Sequence, residues 1–307
     1  MARVAVLLGG LSPERPVSLS TGAGAVAALK RLGHTVFEID PAEQDWVETL
    51  KAAQVDAVFN VLHGPWGEDG RIQGVLDYMR LPYTHSGVLA SALAMDKDKS
   101  KAIFSQAGLP LAKGSLMNRF EAAKAHPMAP PYVIKPNAQG SSVGVFIVRE
   151  GANRPPEQLL DPDWAFGEDV IVEEFVAGKE LTVTVLGEKT GPRALAVTEI
   201  VPSGEWYDFD AKYAAGGSRH VLPAQIPAEV TETLLRTAEK AHTALGCRGV
   251  TRSDFMYNPE TGKIALLEVN NQPGMTPTSL VPEQAAYCGM DYDTLVAWML
   301  EDASWPR

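Results

Sequence analysis

The sequence predicts an α/β protein with an N-terminal parallel-sheet domain followed by a two-part α+β fold. Three observations predict it. The first third alternates strand and helix patterns, which implies a parallel sheet with helices on its faces. Glycine turns end two of its strands. The middle and final thirds instead carry strands joined by short turns, the pattern of antiparallel sheet.

Taken in order, residues 4–8 read as a buried strand that stops at Gly9-Gly10. Residues 18–32 follow with helical periodicity and stop at Gly33. Residues 35–40 form a second strand, and residues 55–62 a third that runs into His63-Gly64. Asp69 is expected to cap a helix carrying Ile72, Val75, Leu76 and Met79. In such sheets ligands sit at the carboxyl ends of the strands, where residues 9–15 and 63–70 lie. Residues 97–108 read as a helix ended by Gly108 and Pro110. Strands at 131–135 and 144–148 flank a glycine-serine turn, and a strand at 170–175 leads to a turn at Gly178. Strands follow at 180–186, 194–201, 252–257 and 263–269, with helices at 228–245 and 292–301. Residues 127–131 and 151–156 are the expected mobile loops.

The 307 residues suggest two or three domains. Hydrophobic residues make up 45%, as in ordinary globular proteins. The net charge of -11 argues against a nucleic-acid partner, because phosphate-backbone recognition needs a Lys/Arg surface. Cys247 and Cys288 fit no metal spacing and read as reduced thiols. No run of about 18 apolar residues crosses a membrane, and the opening apolar run is too short for a signal core. The expected location is the cytoplasm.

Two short segments carry the strongest chemistry. In Arg252-Ser253-Asp254 and Glu268-Val269-Asn270 the polar residues stand two apart, so within a strand each pair shares a face. If the strands pair, three hard oxygen donors and a guanidinium converge. Oxygen-only ligands suit magnesium, and no His or Cys accompanies them for zinc. The alternative is a solvated polar face on two edge strands. The turn from Asn271 to Thr276, directly after that face, favours a site.

A second segment runs from Lys135 through Gly140-Ser141-Ser142 to Gly144. Its backbone N–H groups, two hydroxyls and one ammonium suit phosphates, although it is not a P-loop, and an ordinary hairpin is the alternative. In a third, Glu173-Glu174-Phe175-Val176, a carboxylate and the following backbone suit the edge of a nucleobase. An edge strand with solvated charges is the alternative. His63, between a strand and glycine-rich turns, is favoured as functional. The remaining histidines are assigned to surface or packing.

Together these segments resemble the D-alanine–D-alanine ligases of the ATP-grasp superfamily. The resemblance covers nearly the whole chain. It is carried by Leu7-Leu8-Gly9-Gly10-Leu11-Ser12-Pro13-Glu14-Arg15, Leu62-His63-Gly64-Pro65-Trp66-Gly67-Glu68-Asp69-Gly70 and Met95-Asp96-Lys97. The Lys135 loop, Tyr207-Asp208-Phe209-Asp210-Ala211-Lys212-Tyr213 and residues 268–280 complete it.

The resemblance implies a Rossmann-like pre-ATP-grasp domain over residues 1–94. It implies a central ATP-grasp part at 95–178 and a C-terminal part at 179–307, with ATP between the last two. Lys97, Lys135, Ser141, Ser142, Lys212 and Asn270 would meet ATP, largely through its phosphates. Glu173 and the backbone at Phe175 and Val176 would hold adenine, and Glu180 the ribose. Asp254, Glu268 and Asn270 would bind two magnesium ions, with manganese as the alternative metal. Glu14 would pair with the ammonium of the first D-alanine and His63 would lie near its carboxylate. Ser279 and the Leu280 backbone would hold the second D-alanine's carboxylate. Arg252 and the Gly274 N–H would stabilise the oxyanion, and the expected catalytic set is Glu14, Ser141, Tyr213, Arg252 and Gly274.

Lys212 and Tyr213 would ride on a closing loop hinged near Gly216-Gly217, and Tyr213 favours an amine over a hydroxyl acceptor. Family members usually form homodimers. Pro16 departs from the glutamate that many relatives carry there, and with Pro13 it stiffens the Glu14 loop. The rival readings are a ligase for a D-lactate or D-serine acceptor and a non-catalytic ATP-binding regulator. Intact Arg252, Asp254, Glu268, Asn270 and Lys212 speak against the regulator.

Overall fold

The computed structural model describes residues 1–140, 143–202, 217–276 and 278–307. The expectations for Ser141, Ser142, Lys212, Tyr213 and Gly216 therefore fall outside the described residues.

The first sheet is parallel, in the order β2-β1-β3, from β1 (Arg3–Leu7), β2 (Thr35–Ile39) and β3 (Ala57–Asn60). Val4, Ala5, Val6 and Leu7 are all buried, as expected of a strand covered on both faces. Helix α1 (Arg15–Arg31) starts three residues before the predicted Ser18. Pro16 sits in its first turn, where a missing N–H costs nothing and a fixed φ suits the helix. Helices α2 (Trp46–Ala53) and α3 (Arg71–Met79) complete the unit. The cap of α3 is Gly70, not the predicted Asp69. Asp69 stands one residue earlier and accepts from the Trp66 and Arg71 N–H groups.

Helix α4 (Val88–Met95) has no counterpart in the sequence reading. Its residues, VLASALAM, are small and apolar around the whole circumference, so no 3.6-residue stripe marks it. Asp96 caps α5 (Lys97–Gln106) by accepting from the Lys99 N–H.

A four-stranded antiparallel sheet follows, in the order β4-β7-β5-β6. Its strands are β4 (Gly114–Asn118), β5 (Tyr132–Pro136), β6 (Phe146–Val148) and β7 (Asp169–Glu174), and the one-turn α6 (Arg119–Ala122) follows β4. The largest sheet is antiparallel in the order β10-β9-β8-β11-β12. It comprises β8 (Lys179–Glu188), β9 (Gly191–Pro202), β10 (Ser218–Val221), β11 (Val250–Tyr257) and β12 (Ile264–Asn270).

Helix α7 (Ala228–Ala244) packs Leu234, Ala238 and Ala241 against that sheet, in a core that also takes Phe104 of α5. Helix α8 (Leu280–Tyr287) was also unforeseen. Helix α9 (Tyr292–Asp302) returns to the first sheet, where Leu295, Val296 and Met299 share a core with Val4, Val6 and Leu29. Arg31 and Asp293 fasten this return through two bonds of 2.8 and 2.5 Å. Among the described residues, no helix is long and apolar enough to cross a membrane.

Candidate active site

The β11–β12 pairing sets Arg252 opposite Asn270 and Asp254 opposite Glu268. All four side chains therefore share one face, as the two-residue spacing predicts. Strand β11 lies between β8 and β12, which removes the edge-strand alternative for Arg252 and Asp254. Arg252 holds Asp254 through paired bonds of 2.9 and 2.8 Å. Asn270 Nδ2 and Thr182 Oγ1 also donate to Asp254, at 2.9 and 2.6 Å. Lys97 reaches Glu268 at 3.1 Å and donates to the Gln139 carbonyl at 2.6 Å.

The register shifts by one residue directly after the Asp254–Glu268 pair, because Phe255 pairs with Leu266. Leu267 is the extra residue of this bulge. Leu267 and Glu268 thus both line one cleft, although neighbours in a regular strand face opposite ways.

That cleft, of about 470 Å³, lies between the four- and five-stranded sheets. Lys97, Lys135, Glu173, Phe175, Val176, Glu180, Asp254 and Glu268 all line it, together with the apolar Val133, Met256 and Leu267. Glu173 is in β7, between β4 and β5, so its strand is not an edge either. Its carboxylate is 2% exposed and pairs with Lys135 and, at 2.7 Å, with Lys101. Burial alone would push this carboxyl up, but the two ammonium groups hold it below the usual carboxylate range. Burial lowers the Lys101 ammonium, against the pull of Glu173.

A second pocket of about 440 Å³ contains Glu14, His63, Arg252, Asn270, Gly274, Ser279 and Leu280. Gly140 lines both spaces and so stands where they meet. His63 is buried and held at both ring nitrogens, Nδ1 at 3.0 Å from Glu68 and Nε2 at 3.3 Å from Thr21 Oγ1. Gly64 has φ +69°, and a Cβ there would fall 2.5 Å from Ser12 Oγ and 2.6 Å from Glu14 Oε1. Only glycine lets the Glu14 carboxylate pass this turn. Asn271 donates to Ser91 Oγ at 2.9 Å, and Gln272 bonds Asn60 and the Leu62 carbonyl. The turn after β12 is thereby fixed to the end of the first sheet. Ser279 stands at the N-cap of α8, its hydroxyl 2.7 Å from Thr276 Oγ1. The adjoining helix start offers N–H groups and a positive dipole end to an anion.

The structure gathers every described site residue of the sequence reading into these two adjoining spaces. It also adds residues. Lys101 is one helical turn beyond Lys97, a spacing the sequence displayed. His220, assigned to surface or packing, lines the second pocket with Nδ1 2.8 Å from Glu283. No local signal marked it, since its partner lies in another element. His85 and His242 are buried and line neither space, and burial pushes them down to about 3 and about 4.

Residues 42–86 match the family model for the D-ala D-ala ligase N-terminus, and residues 103–301 the model for its C-terminus. The chain belongs to the D-alanine–D-alanine ligase family. A D-alanine–D-alanine ligase of Caulobacter vibrioides is 60% identical over 300 residues, covering 98% of this chain and 92% of that protein. One from Chelativorans is 54% identical over 308 residues, covering 99% and 98%. The crystal structure of the Bacillus anthracis ligase complexed with ATP superposes with a TM-score of 0.82 at 28% identity, covering 98% of this chain and 97% of that one. The chain accordingly has the α/β architecture of the ATP-grasp ligases, as the sequence predicted.

Proposed function

We propose that this protein is an ATP-dependent ligase that joins two D-alanine molecules, releasing ADP and phosphate, to supply a peptidoglycan precursor. The observation that carries the reading is the junction at Gly140. A nucleotide-sized cleft with ammonium groups opens there onto a smaller pocket with the Glu14 carboxylate for an ammonium and one helix start for a carboxylate.

A carboxylate is a poor electrophile, so its oxygen must first be phosphorylated. The first D-alanine, its ammonium on Glu14, attacks the γ-phosphorus with a carboxylate oxygen. The bond from that phosphorus to the β-bridging oxygen breaks and ADP leaves. Lys97 and Lys135 neutralise phosphate charge during this step. The second D-alanine, its carboxylate against Ser279 and the Leu280 N–H, loses a proton and attacks the acyl carbon. Arg252 and the Gly274 N–H receive the oxyanion, and phosphate departs as the carbonyl reforms. Excluding water protects the acyl phosphate, which is the purpose proposed for Lys212 and Tyr213.

The donor set fits magnesium. Two carboxylates and one amide oxygen are hard ligands, and among the described residues no cluster of three His, Cys, Asp or Glu competes for a softer metal. Asp254, Glu268 and Asn270 would hold two magnesium ions, and bound magnesium would supply charge neutralisation at the transferring phosphate. The same reading includes a homodimer in the cytoplasm and three units divided near residues 94 and 178.

The test is phosphate release from ATP with and without D-alanine. Release that depends on D-alanine, and not on L-alanine, is expected. Equal release without D-alanine overturns the substrate assignment.

A further inference from the structure

Glu173 has more counter-charge than it needs. One carboxylate, 3% exposed at its side chain, touches two ammonium groups, those of Lys135 at 10% and Lys101 at 13%. The cluster therefore carries one net positive charge in a nearly dry place, an arrangement that costs heavily unless a further anion arrives. The two lysines are not equivalent. Lys135 lines the nucleotide cleft, whereas Lys101 lies behind Glu173 on α5 and is absent from the cleft wall.

Helix α5 reaches both walls of the cleft. Lys97 in its first turn pairs with Glu268 of β12, and Lys101 one turn later pairs with Glu173 of β7. One rigid element thus anchors a carboxylate on each side. Lys101 is held there by its helix, while Lys135 is the last residue but one of β5.

We infer that Lys101 is a positioning residue that keeps Glu173 neutralised when Lys135 turns from Glu173 to a nucleotide phosphate. The inference rests on the nucleotide reading of the cleft. If Lys101 were missing, Lys135 could leave only by stranding a buried carboxylate with no counter-ion. It would stay on Glu173, and the phosphates would lose one cation. The effect belongs to the phosphates, so a ligand with the same base and ribose but no phosphate does not feel it.

The experiment measures binding of a non-hydrolysable ATP analogue and of adenosine to the full chain by calorimetry. Lys101→Met is expected to weaken the analogue about tenfold or more while adenosine changes far less. Lys101→Arg, which retains the charge, should restore most of the analogue's affinity. Glu173→Gln supplies a check that does not require Lys101→Met to fold. It releases Lys135 outright, so the analogue's affinity relative to adenosine should rise. Equal losses for both ligands in Lys101→Met, or an unchanged or lower ratio in Glu173→Gln, would overturn the inference. Failure of the unaltered protein to bind either ligand would instead overturn the nucleotide reading.

Discussion

Arg252 grips Asp254 through two parallel bonds, Nε to Oδ1 and Nη2 to Oδ2, at 2.9 and 2.8 Å. The guanidinium that would receive an oxyanion is thus oriented by a carboxylate of the proposed metal site. Planar pairing of this kind is strong and directional. Arg252→Met should lower the rate of phosphate release by about 10²–10³, the usual cost of one oxyanion donor. Calorimetric affinity for ADP should stay close to that of the unaltered protein. Loss of ADP binding in parallel with rate would place Arg252 in nucleotide binding instead.

Gly64 is constrained twice, by its φ of +69° and by the Glu14 carboxylate 2.6 Å from where a Cβ would stand. Gly64→Ala should therefore displace Glu14 and strain the turn. A destabilisation of about 1–3 kcal/mol is expected from the backbone term and the overlap together. The melting temperature and the D-alanine concentration at half-maximal rate report the two effects. An alanine variant with both values unchanged would show that the turn adjusts freely.

His220 and Glu283 form a 2.8 Å pair, and Glu283 lies in the first turn of the helix that Ser279 precedes as N-cap. The pair therefore flanks the place proposed for the acceptor's carboxylate. His220→Asn should raise the D-alanine concentration needed for half-maximal rate about fivefold or more, with maximal rate less affected. Steady-state phosphate release over a range of D-alanine concentrations measures this. A fall in maximal rate alone would argue for a role in the chemical step.

His242 is 3% exposed, bonded through Nδ1 to Thr251 Oγ1 at 2.8 Å, with its pKa pushed down to about 4 by burial. A base with a lowered folded-state pKa stabilises the fold above its unfolded value and loses that stability as pH falls. The window runs from about 6.5 down to about 4. Two and a half units at about 1.4 kcal/mol each bound the effect at about 3.5 kcal/mol. Melting temperature should decline across that window, and less steeply in His242→Gln. Parallel pH profiles for the two proteins would remove His242 from the acid response.

Much of the fold was legible because its elements differ in period. The buried run of β1, the amphipathic α7 and the paired strands β11 and β12 each carry a local pattern. What went unread lacked one. Helix α4 is apolar all round, and β4, GSLMN, is short and partly exposed. Asp69 looked like a cap because the helix start was one residue out, at Gly70.

The chain itself determined which chemistry is present at the site. Two residues of spacing oblige Arg252 and Asp254, and likewise Glu268 and Asn270, to share a face in any strand. Only the tertiary structure decided which face meets which. The pairing of Asp254 with Glu268, the bulge that turns Leu267 into the cleft, and the contacts of Lys101 with Glu173 and His220 with Glu283 all join distant segments. Glu173 and Lys101 lie in different elements, as do Glu283 and His220. Local periodicity reports on neighbours within about one turn or one pleat, whereas charges separated by many residues meet only after the sheets have closed on one another.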